Sequence, residues 1–362
     1  MTDLLSMNLT ELKSFMKDRG EPAFRADQVF DWMHKRHAAN ADEMTNIPKS
    51  LKEKLFADGR VNPLTEVECL CSGSDGTKKY LFALPDGNVI ESVLMEYEHG
   101  YSVCISSQVG CRMGCKFCAS TIGGKRRDLA AGEMAAQVYM IGRLADVKIS
   151  NIVVMGTGEP LDNYDNLIRF IELVTHEQGM NLSARSITVS TCGLVEKIDE
   201  LADLKLQITL AISLHAPNDE IRRKIMPVAF SYDIASILGA CDRYFEKTGR
   251  RITFEYSLIS GVNDSDECAE ELAGLLKGRN CHVNLIPVNP VKERSYRRAT
   301  AERTGCFKKI LEKKRINATI RREMGSDIDA ACGQLRRRYE KRAVSQVASG
   351  GSHAEAAKKD PD

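Results

Sequence analysis

The sequence predicts an α/β protein built on a parallel sheet, preceded by a small helical module. Apolar strand-like runs alternate six times with helical runs from Tyr101 onward, and such alternation is typical of a barrel or a doubly wound sheet. Near the N-terminus, Leu12, Phe15 and Met16 have the spacing of an amphipathic helix. The length of 362 residues allows one large domain with a smaller attachment.

Patterning divides the chain into four segments. The first is helical, the second holds short alternating runs, the third is the strand–helix series, and the last is small, polar and contains Gly and Ser, which predicts disorder. The expected bounds are 1–60 for the helical accessory domain, 61–97 for a β-rich connector, 98–340 for the core and 341–362 for the tail.

Strands and helices follow from the hydrophobic period in each segment. The connector strands are predicted at Leu64–Cys71, Lys78–Leu84 and Val89–Met95. The core strands are predicted in the runs YSVCISS, NIVVMG, SITVST, QITLAISLH, RITFEYSLI and CHVNLIPV. The helices between and after them are predicted near Ala130–Asp146, Tyr164–His176, Val195–Leu204, Ile234–Thr248, Asp266–Lys277 and Ala301–Lys314. A further strand is expected at Ala318–Glu323.

Charge is distributed unevenly along the chain. The net charge is +1, but residues 303–342 hold 13 Lys/Arg and 5 Asp/Glu, a local balance of +8. A basic end on an otherwise acidic protein suggests a polyanionic partner. The equally weighted alternative is that these basic residues only form the solvent-exposed faces of helices. No stretch approaches the ~18 apolar residues of a membrane helix, and the N-terminus lacks the pattern of a signal peptide. We therefore expect a cytoplasmic protein without a membrane partner.

The strongest chemical motif is CRMGCKFC, in which Cys111, Cys115 and Cys118 are separated by three and two residues. Three thiolates at this spacing can hold three irons of a cubane cluster and leave the fourth iron open to a cofactor. A structural zinc site requires four ligands. A zinc-bearing RNA-binding protein without catalytic activity remains the alternative from another class.

A second motif, MGTGEP, ends at Pro160 after the second core strand. Its glycines allow the backbone to approach a ligand closely, and Glu159 offers a carboxylate to a ligand ammonium group. Ligands collect at the carboxyl ends of parallel strands, where further polar residues follow. The predicted cofactor pocket consists of Gly158, Glu159, Ser190, Ser213, Leu214, His215 and Asn289.

Both motifs resemble those of the radical S-adenosylmethionine superfamily. More specifically, CISSQVGC, MGTGEP, SLHAPNDEIR, NLIPVNP and DIDAACGQL occur in this order and spacing in the RlmN family of RNA methyltransferases. The match covers about Phe24 to Arg338, and EPAFRADQVFDW resembles part of that family's accessory helical domain. The resemblance implies a partial (β/α)6 barrel, a [4Fe–4S] cluster on the three cysteines and two S-adenosylmethionine molecules per turnover.

The resemblance also implies roles for residues outside the pocket. Cys332 corresponds to the methyl-carrying cysteine, Cys104 to the thiol that releases the product through a transient disulfide, and Glu91 to the acid/base residue. The basic runs Gly124–Arg127 and Arg336–Arg338 are candidates to hold RNA phosphates, exposed helix faces being the alternative.

The same resemblance implies the substrate and the partners. The expected reaction is methylation of carbon 2 of an adenosine in 23S rRNA and in the tRNA anticodon loop. The enzyme is expected to be a monomer that receives electrons from flavodoxin or ferredoxin. A Cfr-type enzyme that methylates carbon 8 is the nearest alternative, against which Pro160 favours the RlmN type.

Overall fold

The computed structural model of the protein describes residues 3–291, 293–328, 333 and 335–339. The strands in this part of the chain are β1 (Thr65–Cys71), β2 (Lys78–Ala83), β3 (Val89–Tyr97), β4 (Gly100–Cys104), β5 (Gln108–Gly110), β6 (Lys125–Asp128), β7 (Ile149–Val154), β8 (Ile187–Thr191), β9 (Thr209–Ser213), β10 (Ile252–Leu258), β11 (Cys281–Pro287) and β12 (Ala318–Ile320). Ten of them form one sheet in the order β1-β2-β3-β4-β7-β8-β9-β10-β11-β12, and β5 pairs with β6 separately.

The helices cover this sheet. They are α1 (Leu9–Lys17), α2 (Phe24–His34), α3 (Lys49–Leu55), α4 (Ala131–Ala145), α5 (Tyr164–Thr175), α6 (Val195–Asp203), α7 (Asp219–Ile225), α8 (Ile234–Thr248), α9 (Asp266–Leu276) and α10 (Ala301–Lys313). Each long helix buries one apolar stripe: in α5, Leu167, Phe170, Ile171 and Val174 are buried because residues three and four apart share a face. Within the described residues, no helix combines the length and the apolar character that spanning a membrane requires.

The predicted parallel architecture is confirmed. Strands β4, β7, β8, β9, β10, β11 and β12 pair in parallel in that order, so their carboxyl ends lie along one rim of the sheet. No pairing between β12 and β4 is present in the described part of the chain. The barrel is therefore open, in agreement with the partial barrel that the resemblance implied.

The first three strands continue the barrel sheet. β1, β2 and β3 form an antiparallel meander, and β3 pairs with β4 over Val93–Tyr97. This meander brings the buried face of β3 beside the rim where the site lies. Glu91 and Val93 on β3 and Cys104 on β4 are all buried.

Two short elements were not predicted. The hairpin of β5 and β6 has strands of only three and four residues, and β6 reads KRRD, so neither shows an apolar alternation. Helix α7 has seven residues, is capped by the Asn218 side chain on the Ile221 N–H and contains mostly charged residues. Both elements pack against the cysteine loop, as described below.

The N-terminal helices pack on α4 of the barrel. The Gly132 N–H at the start of α4 donates to Ser6 Oγ at 2.7 Å, and His34 Nδ1 lies 3.0 Å from the Tyr139 hydroxyl. A Cβ on Gly132 would lie 2.9 Å from the Leu5 backbone, so the close approach depends on this glycine. The accessory helices and the barrel consequently share one hydrophobic core.

Candidate functional site

A cavity of about 280 Å³ lies at the carboxyl ends of the parallel strands. This volume is close to the ~300 Å³ lower limit of ordinary small-molecule pockets. Its walls contain all but one of the predicted cluster and cofactor residues: Cys111, Cys115, Cys118, Gly158, Glu159, Ser190, Ser213, His215 and Asn289. Leu214 is fully buried in the hydrophobic core instead, and its carbonyl accepts a hydrogen bond from Arg222.

The loop with the three cysteines is held from both sides. It leaves β5 at Gly110, which has φ +83° and where a Cβ would overlap the Gly124 carbonyl. On the other side, the Lys116 N–H donates to the Ile225 carbonyl of α7 at 2.8 Å. Within the loop, Thr121 Oγ1 donates to the carbonyls of Cys115 and Cys118 at 3.1 and 3.0 Å. The loop conformation is therefore defined by backbone contacts that leave the thiols facing the cavity.

The thiols of this loop are strongly influenced by burial. Burial raises the pKa of Cys111 to about 12, against a hydrogen bond from the Met113 backbone and with smaller contributions from Cys118, Glu159 and Asp162. Burial also raises the pKa of Cys115 well above its ordinary value, with contributions from Cys118 and Cys111. A cationic centre bound by these thiolates would offset that cost.

The turn formed by Gly158, Glu159 and Pro160, called the GEP turn below, packs on the segment that follows β4. Gly158 has φ +120°, and a Cβ there would lie 2.6 Å from Ser107 Oγ. The carboxylate of Glu159 accepts hydrogen bonds from the Leu161 N–H at 3.1 Å and the Cys192 N–H at 2.8 Å, and it also accepts from the side chains of Thr191 and Cys192. Glu159 thus joins the ends of β7 and β8 in addition to lining the cavity.

His215 presents one ring nitrogen to the protein. Its Nδ1 accepts from the Ser257 N–H at 2.9 Å, so the proton of the neutral ring is on Nε2. Burial and, to a smaller extent, the charge of the nearby Arg222 lower the pKa of His215 to about 3. The ring contacts Phe117 edge to face at a centroid distance of 5.0 Å. His215 can therefore act as a neutral hydrogen-bond donor beside the cysteine loop.

Two serines share the same layer of the cavity. Ser190 Oγ and Ser213 Oγ, on the neighbouring strands β8 and β9, are 3.2 Å apart. Asn289 follows β11 and lines both this cavity and a second one.

The second cavity adjoins the first and contains Cys104. The two share Met155, Ile286, Asn289 and Arg321 in their walls. Val93, Met95 and Met324 also line the second cavity. Cys104 is buried, and its position places a thiol next to the cavity that holds the cluster cysteines.

Glu91 binds the segment that contains the proposed carrier. Its carboxylate lies 3.2 Å from Lys79 Nζ and accepts from the N–H groups of Gly333 at 2.6 Å and Arg336 at 2.5 Å. Both charged side chains are buried, with exposed fractions of 0% for Lys79 and 4% for Glu91. Cys332 itself lies outside the described residues.

Sequence reasoning missed three buried polar side chains of the site. Arg222 lies behind the cavity wall and donates to three carbonyl oxygens. Cys192 lines the cavity, as does Glu255, which accepts from Asn284 Nδ2 at 3.0 Å. The alternation on β10 indicates which face Glu255 occupies, but no local pattern distinguishes Arg222 from a surface arginine.

The two basic runs make contacts within the protein. Arg336 has an exposed fraction of 3%. Arg126 donates to Asn88 Oδ1 at 3.0 Å. Further ion pairs in the two runs join Lys125 to Asp128 and Asp162, Arg127 to Asp86 and Glu133, Arg337 to Glu293, and Arg338 to Glu68. These contacts partly neutralise the positive charge of the two runs, which makes the runs weaker candidates for binding RNA phosphates.

Known proteins resemble this chain over nearly its whole length. The radical SAM superfamily matches residues 105–273, and the ribosomal RNA large subunit methyltransferase N-terminal domain matches residues 2–60. A probable dual-specificity RNA methyltransferase RlmN from Lachnospira eligens is 59% identical over 339 residues, covering 94% of this chain and 97% of its own length. The protein of the same name from Lachnoclostridium phytofermentans is 58% identical over 344 residues, covering 95% and 97%.

A solved structure agrees with this relationship. The crystal structure of a radical SAM methyltransferase from Sphaerobacter thermophilus superposes with a TM-score of 0.88 at 47% identity, covering 91% of this chain and 98% of that chain. Relatives named RlmN do not favour the Cfr-type alternative.

The cofactors of a radical SAM enzyme are a [4Fe–4S] cluster and S-adenosylmethionine, and the residues present fit them. In a cubane each cysteine binds a different iron, and Cys111, Cys115 and Cys118 line one cavity together with Glu159 and His215. The relatives named as RNA methyltransferases over nearly their whole length disfavour the non-catalytic zinc alternative. From its sequence relatives, its fold and its cysteine-lined cavity, the chain belongs to the RlmN family of radical S-adenosylmethionine RNA methyltransferases.

Proposed function

We propose that this protein methylates carbon 2 of an adenosine in 23S rRNA and in the tRNA anticodon loop, using a methyl-cysteine carrier and two S-adenosylmethionine molecules. The observation that carries the proposal is the pair of adjoining cavities. One is lined by Cys111, Cys115 and Cys118, the other contains Cys104, and they share a wall. Dual-specificity naming of the relatives supports both RNA substrates.

The cofactors would be held by the residues of the first cavity. Cys111, Cys115 and Cys118 would bind the cluster, while the GEP turn, the serine pair, His215 and Asn289 would contact S-adenosylmethionine. When bound, these groups supply the one-electron cleavage of the sulfonium that starts the radical chemistry. The Nε2–H of His215 would donate a hydrogen bond to the cofactor, and the apolar contacts of Phe117 would exclude water from it.

The remaining proposed residues handle the methyl group and the proton. Cys332 would carry the methyl group on its sulfur and deliver its carbon to the adenine. Glu91, whose carboxylate holds the backbone at Gly333, would accept the proton that the ring carbon loses. Cys104 would attack the Cys332 sulfur, so that the carbon–sulfur bond to the adenine breaks and a disulfide forms between the two cysteines. The released carbon takes up a proton and leaves as the methyl group of the product.

The RNA would enter at the second cavity. Arg298, Arg321 and Arg322 line this cavity, and Arg322 is exposed. Arginines at a cavity mouth bind phosphates by charge-assisted hydrogen bonds. The adenine must be turned out of its stack to reach the thiols, at a cost on the order of a few kcal/mol, which favours loops as substrates.

The proposal also covers partners and organisation. We propose a cytoplasmic monomer that receives its electron from a flavodoxin or ferredoxin. Its domains would be the accessory domain 1–60, the connector 61–97, the core 98–340 and the tail 341–362.

The test uses anaerobically reconstituted protein and S-adenosylmethionine with a fully deuterated methyl group. Protein-free ribosomal RNA and tRNA are the substrates, and the digested nucleosides are analysed by mass spectrometry. We expect 2-methyladenosine that retains two deuterons, because the carrier route removes one. The 8-methyl isomer would reassign the protein to the Cfr type, and a product with three deuterons would exclude the carrier.

A cysteine variant tests the releasing thiol. Cys104→Ala should accumulate a covalent protein–RNA adduct, because nothing attacks the carrier sulfur. Cys268→Ala, at a buried cysteine of α9, is the matched control and should turn over without an adduct. If Cys104→Ala releases methylated RNA at the control's rate, the role of Cys104 is wrong.

A further inference from the structure

Arg222 is a fully buried cation at the back of the cluster cavity. Its exposed fraction is 0%. Its guanidinium donates to the carbonyl oxygens of Leu214 at 3.2 Å, Tyr232 at 2.9 Å and Cys192 at 2.6 Å. These three carbonyls come from separate loops, so the side chain occupies a fixed position between them.

Arg222 makes no direct ion pair among the described residues. Its three hydrogen-bond partners are neutral carbonyls. Asp219, one turn earlier on α7, accepts from the Ile234 N–H and acts on the guanidinium only through space. An arginine remains charged in a protein, and a buried charge without a counter-charge is strongly unfavourable. An anionic group bound close to this position would therefore stabilise the buried guanidinium.

The cluster loop lies on the other side of the same wall. Cys192, whose carbonyl binds Arg222, lines the cavity together with the three cluster cysteines. Ile225, three residues after Arg222, accepts from the Lys116 N–H and packs with Met226 in the small apolar cluster that includes Met113 and Cys115. The guanidinium therefore lies behind the wall that carries the cluster cysteines.

We propose that Arg222 is the counter-charge of the iron–sulfur cluster and that it raises the reduction potential of the cluster. The inference rests on the proposed function, since it requires the cluster on Cys111, Cys115 and Cys118. Three thiolates make the cluster site anionic, and reduction adds one more negative charge. A buried cation behind the cavity wall stabilises the reduced form more than the oxidised form, because water does not screen it there. Arg222 is thus a positioning residue that acts through the cluster and touches no substrate.

The experiment compares Arg222→Gln, which removes the charge, with Arg222→Lys, which retains it. Reconstituted holoprotein is assayed for iron content and titrated with a chemical reductant and mediators while the reduced cluster is followed by electron paramagnetic resonance. At the midpoint potential of the unsubstituted protein, the ratio of reduced to oxidised cluster should fall about tenfold or more in Arg222→Gln, equivalent to a shift of ~59 mV for one electron. Arg222→Lys should remain within about threefold of the unsubstituted ratio.

Arg250→Gln is the matched control. Arg250 also donates to a carbonyl, that of Ile208, and to Thr209 Oγ1, but at the opposite end of β9. Its removal should leave the midpoint unchanged.

The outcomes separate the inference from the proposed function. An unsubstituted protein that binds no cluster would overturn both. A normal cluster with the same midpoint in Arg222→Gln would overturn only the inference. If Arg222→Gln fails to retain iron, the Arg222→Lys variant distinguishes the two roles. Iron retention in Arg222→Lys would support the counter-charge role. Equal loss of iron in both variants would show that Arg222 acts only through its three hydrogen bonds.

Discussion

At the scale of single residues, the buried pair of Lys79 and Glu91 connects the connector strands to the proposed carrier segment. Glu91 lies on β3 and Lys79 on β2, and the Glu91 carboxylate also accepts from two backbone N–H groups of the C-terminal segment. A buried carboxylate with three donors has its lone pairs well satisfied. The pair therefore defines where the backbone next to Cys332 meets the sheet.

Lys79→Met should destabilise the protein by about 3–5 kcal/mol, because it leaves a buried carboxylate without its cation. The measurement is the free energy of unfolding from urea titrations. Lys78→Met, at the neighbouring half-buried position, should change it by less than about 0.5 kcal/mol. The double variant Lys79→Met/Glu91→Leu should be less destabilised than the sum of the single variants. Strict additivity would show that the two charges are not coupled.

At the scale of elements, the β5–β6 hairpin supports the cysteine loop. The hairpin pairs Gln108 with Asp128 and Val109 with Arg127, and its register shifts at Gly110. Gly110, the last residue of β5, faces the backbone of Gly124 immediately before β6. The first cluster cysteine is the next residue, so the hairpin determines where the loop begins.

Gly110→Ala should therefore impair cluster binding. Its methyl group would overlap the Gly124 carbonyl at a positive φ, and the two strands would have to separate. Iron content after reconstitution should fall by at least about half. The control is Gly123→Ala, where φ is +92° but nothing lies within 4 Å of the added carbon. Equal iron contents in the two variants would mean that the hairpin does not position the loop.

At the scale of the whole molecule, the accessory helices and the barrel meet around buried histidines. His34 on α2 contacts Tyr139 on α4, and His37 stacks on the same tyrosine at a centroid distance of 4.2 Å. Burial and, to a smaller extent, the charges of His37 and His176 lower the pKa of His34 to about 3. Burial also lowers the pKa of His37 to about 4, against a hydrogen bond that the His37 ring donates to the His34 backbone and with a smaller contribution from Arg143. Both rings are therefore neutral in the folded protein at neutral pH.

This arrangement predicts a loss of stability in mild acid. Below the ordinary value of 6.5, the unfolded chain binds protons that the folded histidines do not, so the free energy of unfolding falls as the pH decreases toward about 4. Each histidine contributes a slope of up to about 1.4 kcal/mol per pH unit, and neither contributes above this range. His34→Gln should reduce the slope by that amount in urea titrations between pH 6 and 4.

The control for this prediction is His99→Gln, which removes an imidazole at an exposed position. An unchanged slope in His34→Gln would mean that His34 is protonated in the folded protein. The interface between the accessory helices and the barrel would then tolerate the charge.

Much of the fold could be read from local patterns. The helical period of α5 and the short β-like run of β3 depend on residues close together in sequence, and the structure confirms the helix and the strand expected there. The spacing of Cys111, Cys115 and Cys118 is likewise local. The position of polar residues after successive strands was enough to bring Ser190, Ser213 and His215 to one cavity, because parallel strands end at one rim.

The sequence by itself thus determined the parallel sheet, the cysteine loop and the rim residues, since each depends on short-range periodicity or on the order of strands. Only the tertiary structure decided the environment of Arg222, the pairing of Glu91 with Lys79 and the ion pairs of Lys125 and Arg127. These properties depend on burial and charge from segments far apart in sequence, for example the 242 positions between Glu91 and Gly333. The local sequence around a charged residue is the same whether the residue is buried under a distant loop or exposed to water. Tertiary packing decides between the two.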